Sequence, residues 1–191
     1  MNKGRLEAFT DGVIAIIITI MVLEMKVPHA TSLAEMQASL PVLLAYVLSY
    51  INVGIFWSNH HHLLNTSERI NGRVLWANLF LLFWLSLLPY VIGWIGEAGV
   101  SSLPTAAYGL VLTMAAIGWG QLQRALIACN GRGSKLATAI GGDLKGKTSL
   151  AVYVIAIPIA FVNPWFAIAL YAANALVWLV PDRRIEFVLK P

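Results

Sequence analysis

Side chains able to do chemistry are scarce: nine Asp and Glu, four His and one Cys among 191 residues. Three of the histidines are consecutive, His60-His61-His62. Neighbouring residues on a helix point about 100° apart, so these three cannot converge on one ion. The i, i+4 pair that clamps a metal is missing, and no cysteine or nearby carboxylate completes a ligand set, so no metal site is expected. Hydrogen bonding at a helix end suits these histidines better. Proton sensing also suits them, given a reference pKa of about 6.5. Ser86 and His60 lack a third group to orient a base, so no enzyme activity is expected. Cys129 stands alone and forms no intramolecular disulfide. Two carboxylates are placed more tellingly. Asp11 lies near the start of an apolar run that continues through Leu23, and Glu24 ends that run. A carboxylate inside hydrocarbon costs roughly 2–3 kcal/mol or more. Asp11 therefore either caps its helix or finds a donor or water. Glu24 either concentrates cations at an entrance or is a solvated helix end.

The elements that hold these groups are membrane spans. The chain is 59% hydrophobic and 12% charged, against about 25% charged in soluble domains. Its mean hydropathy is +0.74. So few charges cannot solvate a compact monomer. The net charge of +4 does not mark a nucleic-acid binder, because the basic residues are distributed in another way. A spanning helix needs about 20 largely apolar residues. Six candidates appear, at 8–27, 40–64, 75–95, 103–128, 149–162 and 165–180. The first is a retained helix, since Glu24-Met25-Lys26 follows it with no small-residue cleavage site. The last two are short, with Asn163-Pro164 between them as a turn. Two spans or one re-entrant hairpin both fit. Lys3, Arg5, Arg69, Arg73, Arg124, Arg132, Lys135, Lys145, Lys147, Arg183, Arg184 and Lys190 fall on one side of this map, and Lys26 alone on the other. The positive-inside rule makes the crowded side cytoplasmic, with both termini on it. The stretch 130–147 is Gly- and Lys-rich without apolar periodicity, and reads as a flexible connection lying against anionic headgroups.

Ile16, Ile20 and Leu23 are spaced by four and three, so they share a helical face, with Thr19 beside them. Any apolar helix yields such a stripe, so the spacing alone assigns no role. The opening motif is more specific. Arg5-x-x-x-Phe9-Thr10-Asp11-Gly12, then an Ile-rich run ending Val22-Leu23-Glu24, resembles the signature of the prokaryotic transmembrane protein 175 family. That signature usually has Ser where this chain has Thr10, a change that keeps the hydroxyl. Trp57-x-x-His60-His61, Asn78-Leu79-Phe80-Leu81-Leu82 and Ser86-Leu87-Leu88-Pro89-Tyr90 are also similar to family stretches. The resemblance is carried by residues 5 to 90; beyond them it rests on length and helix count.

The resemblance implies an all-α, six-helix transmembrane bundle forming one channel domain over 1–191. It implies a homotetramer in the cell membrane, with helix one of each subunit lining a central pore. Ile16, Ile20 and Leu23 match pore-lining layers, Ile16 the narrowest, and Thr19 with Ile16 matches positions tied to cation selectivity. Glu24 then stands at the outer mouth. Arg5, Phe9, Thr10 and Asp11 match a motif that packs helix one, with Trp57, His60 and Asn78 as its expected partners. The expected function is passive conduction of potassium, modestly preferred over sodium, with no cofactor beyond the permeant ion. No Thr-Val-Gly-Tyr-Gly filter occurs in the chain, so any selectivity must come from a hydrophobic constriction. Two other classes compete. A secondary transporter usually shows internal repeats and matched helix breaks; Pro89 and Pro158 interrupt helices here, but no repeat accompanies them. A non-conducting membrane assembly subunit is the other.

Overall fold

In the computed structural model, residues 2–25 and 33–179 are described. Lys26, Arg183, Arg184 and Lys190, which enter the charge map, lie outside them, as do the expected helix ends at 27 and 180. The described elements are helices: α1 (Lys3–Leu23), α2 (Leu33–Asn65), α3 (Gly72–Leu85), α4 (Leu88–Ala98), α5 (Ser102–Asn130), α6 (Lys135–Ile140), α7 (Leu144–Val162) and α8 (Pro164–Leu179).

Local chemistry sets most of the boundaries. Asn2 caps α1, its side chain accepting from Gly4 N at 3.0 Å. Asn71 caps α3 through Val74 N at 3.1 Å. Asp143 caps α7 through Gly146 N at 3.1 Å. Each satisfies a backbone donor that a helix start leaves open. Because Asn2 caps α1, Asp11 sits in the third turn, and the capping reading of Asp11 does not hold. Asn163 ends α7, and its Oδ1 accepts from Phe166 N at 3.1 Å, so one side chain organises the turn into α8.

Five stretches are long and apolar enough to cross a membrane: Lys3–Leu23, Ser39–Asn65, Gly72–Ala98, Ser102–Asn130 and Leu144–Val162; Pro164–Leu179 is shorter. The third is the expected span at 75–95, but broken into α3 and α4 at Ser86 and Leu87. Pro89 has no N–H for the carbonyl four residues back and its ring crowds that turn. The 130–147 connection is more ordered than its composition implies. It contains α6, whose Leu136 is buried, and its last residues already belong to α7. One buried leucine suffices to dock so short a helix, and periodicity cannot register it.

At the centre of the bundle, α5 packs against α3 on one side and α7 on the other. Glycines permit both contacts. A Cβ on Gly118 would meet the Leu81 Cα of α3 at 3.0 Å, and one on Gly109 would meet Ile157 Cγ1 of α7 at 3.1 Å as well as collide with the Tyr171 hydroxyl of α8. A buried hydroxyl pair also bridges α2 and α5: Ser49 Oγ donates to Ala45 O at 2.7 Å and lies 3.0 Å from the Tyr108 hydroxyl.

Candidate functional site

Helix α1 has two faces. Leu6, Thr10, Ile14, Ile17 and Met21 are buried against the bundle. The opposite face is uncovered: Phe9 is 51% exposed, Ile16 58%, Ile20 40% and Leu23 78%. Thr19 is exposed among them, and its Oγ1 donates to Ile16 O at 2.9 Å. Its proton is thus spent on its own helix, which leaves the oxygen lone pairs toward the open side.

Beside this face runs a groove, closed on its far wall by Ser86, Pro89 and Tyr90 from the α3–α4 break. Ile16, Ile20 and Glu24 form part of its near wall. Glu24 ends α1, its N–H bonding Ile20 O at 3.2 Å. Its carboxylate leans on α4, where a Cβ on Gly93 would approach Oε2 to 2.5 Å. A larger residue at that position would push the flexible carboxylate aside. A carboxylate at a helix C-terminus is repelled by the helix dipole, so this end is a concentrated negative spot that a cation relieves. Gly93 was not anticipated from the sequence. Nothing in the pattern separates it from the other glycines of the apolar stretches.

At the other end of α1 the motif side chains form two hydrogen-bonded arms. Thr10, His60 and Asn78 are all buried, at 0%, 2% and 0% exposure. Asn78 Nδ2 donates to Thr10 Oγ1 at 2.9 Å, and Asn78 Oδ1 lies 2.8 Å from His60 Nε2. With the amide oriented toward Thr10, the tautomer that satisfies both has the proton on Nε2. This arm ties α1, α3 and α2 together. In the second arm Trp57 Nε1 donates to Asp11 Oδ1 at 2.9 Å, tying α1 to α2 nearer the surface. Asp11 accepts from Trp57, whereas Asn78 and His60 pair with Thr10 and each other rather than with Asp11. Arg5 is exposed and has no hydrogen bond or ion pair among the described residues. The three histidines diverge: His60 is buried, while His61 is exposed, lies 2.8 Å from Asn65 Nδ2, and stacks on Trp57 at 6.4 Å.

A helical bundle with this many apolar spans and one face of its first helix left bare defines a multi-pass membrane protein. The comparisons with known proteins agree with its motifs. The sequence profile of the family described as endosomal/lysosomal potassium channel TMEM175 matches residues 5–89. A Chryseobacterium protein named a potassium channel is 53% identical over 190 residues, covering 100% of this chain and 99% of that one. A Streptomyces collinus protein, also named a potassium channel, is 30% identical over 198 residues, covering 93% and 92%. Among solved structures, the crystal structure of a lysosomal potassium-selective channel TMEM175 homolog from Chamaesiphon minutus superposes with a TM-score of 0.79. It shares 25% identity, and the match covers 95% of this chain and 97% of that one. The chain belongs to the transmembrane protein 175 family.

Proposed function

We propose that this protein is a potassium channel in which four copies bring their α1 helices together around a central pore in the cell membrane. The observation that carries the reading is the bare α1 face. Ile16, Ile20 and Leu23 are apolar and exposed on a helix whose opposite face is buried. Relatives that match this chain nearly end to end are named potassium channels. Six spans, counting α8, keep both termini on the basic, cytoplasmic side.

The chemistry follows from the side chains on that face. A ring of isoleucines offers no ligands and expels water when narrow, which makes a hydrophobic gate at Ile16. When it widens, a partly dehydrated ion passes. Potassium holds its water less tightly than sodium, so the ring discriminates modestly. The Thr19 oxygens supply weak contacts one turn further on. Glu24 raises the local cation concentration at the outer mouth. The Thr10–Asn78–His60 and Asp11–Trp57 arms fix the rotation of α1, so that the apolar stripe faces the axis. No cofactor takes part; potassium is the permeant species.

Reconstitution into planar bilayers under opposed potassium and sodium gradients tests this. A reversal potential displaced toward the potassium equilibrium value is expected. Saturable flux coupled to a second solute would assign the protein to the transporters instead.

A further inference from the structure

A second groove lies on the outside of the bundle, at the end where the basic residues gather. It is an open trough between α3 and α5, lined by Arg73, Trp76, Ala77 and Phe80 on one side and Gln121 on the other. Its chemistry is graded along its length. Arg73 stands at the first turn of α3, exposed, with no hydrogen bond or ion pair among the described residues. One turn deeper, Trp76 is 75% exposed. A further turn into the apolar part of the span, Phe80 is half-buried.

On the facing helix, Arg124 follows Gln121 by one turn, is also exposed, and likewise has no partner among the described residues. The helices touch where Gly118 meets Phe80 and Leu81. Counted from that contact along antiparallel helices, at about 1.5 Å per residue, Arg124 comes to nearly the depth of Arg73. Arg73 thus lines an apolar trough edged by an uncovered indole, and Arg124 stands at a similar depth one turn beyond the lining residue Gln121. Guanidinium groups bind phosphate oxygens through paired hydrogen bonds. Tryptophan settles where headgroups meet hydrocarbon.

We propose that this trough binds an anionic glycerophospholipid, its phosphate on Arg73 and Arg124 and one acyl chain along Trp76, Ala77 and Phe80. A zwitterionic lipid carries the same phosphate, but its ammonium group opposes the pair of guanidinium groups. An anionic headgroup such as that of phosphatidylglycerol meets both. Inorganic phosphate reaches the arginines but leaves the apolar trough empty, so the lipid is the better occupant.

Native mass spectrometry of the purified protein in micelles, titrated with phosphatidylglycerol, phosphatidylcholine or inorganic phosphate, tests this without requiring any current. Its result is therefore separate from that of the channel reading. Wild type should retain phosphatidylglycerol in preference to phosphatidylcholine, undisturbed by inorganic phosphate. Arg73→Gln should weaken that binding by roughly tenfold, the value of a charged hydrogen bond. Trp76→Ala should weaken it less, and Arg132→Gln, on the loop beyond α5, should leave it unchanged. Equal retention by Arg73→Gln and wild type, equal loss in Arg132→Gln, or no preference over phosphatidylcholine would overturn the proposal. So would a change in chains per particle in Arg73→Gln or Trp76→Ala with lipid binding intact, which would give the trough to a second copy.

Discussion

Asn78 is the residue on which the N-terminal half of α1 turns, because its one amide satisfies both Thr10 and His60. Asn78→Ala leaves two buried polar groups without partners, at a cost of about 1–3 kcal/mol for each group stranded. The thermal midpoint of the purified variant in detergent should fall well below that of wild type. Asp11→Ala removes the acceptor for Trp57 near the surface, and is expected to reduce assembly or current; unchanged yield of assembled particles together with unchanged currents would show that this arm is dispensable. At the other end, Glu24→Gln removes the negative charge at the α1 terminus. This variant should lower conductance in dilute salt and converge on wild type near 1 M, where the screening length shrinks to about 3 Å. Thr10, Asp11, Trp57, His60 and Asn78 were all legible as a group from residue type and motif. Their pairing was not. Thr10 and Asp11 point about 100° apart, so which one meets Asn78 depends on how α1 is rotated in the bundle, and a linear pattern does not carry that angle.

Helices were legible wherever apolar length exceeded a bilayer's thickness, and less so at their ends. Residues 3–7, mostly polar or small, extend α1 because Asn2 caps it, a signal available in the sequence but outweighed by the apolar run that begins later. Pro89 marks the α3–α4 break, whereas Pro158, read the same way, lies inside an unbroken α7; the consequence of the break lies in the groove, where Pro89 and Tyr90 stand opposite Ile16 and Ile20. Helix α6 escaped notice because six residues hold too little periodicity. The α3–α5 contact supplies a prediction at this scale. Gly118→Ala places a methyl group against the Leu81 backbone, which cannot yield without parting the helices. Overpacking of this kind costs about 1–3 kcal/mol. Gly120→Ala, where nothing lies within 4 Å, should be neutral or slightly stabilising, since alanine is the better helix former. Thermal unfolding of the pair in the same detergent checks the difference.

For the molecule as a whole, the family and the all-helical architecture could be read from residues 5 to 90 and from hydropathy. The assembly could not be read from packing, because a single chain records only which surfaces it leaves uncovered. Those surfaces are informative in themselves. A lone membrane protein can leave apolar side chains to lipid anywhere, yet here the bare face of α1 adjoins Glu24 and the Asp11 arm, polar groups that suit water and ions better than acyl chains. Four α1 helices around an axis give both ends of that face an aqueous neighbour.

In the proposed assembly, Ile16 is the side chain expected to meet the ion. Single-channel recording of wild type and Ile16→Asn side by side, in bilayers with a potassium/sodium gradient, probes it directly. A pore narrowed by Ile16 requires the polar side chain to wet the constriction, so the variant should conduct more readily and discriminate less between the two ions, while remaining assembled as wild type is. Wild-type currents that persist with the same conductance and the same reversal potential in Ile16→Asn would place the ion path elsewhere and contradict a pore lined by α1.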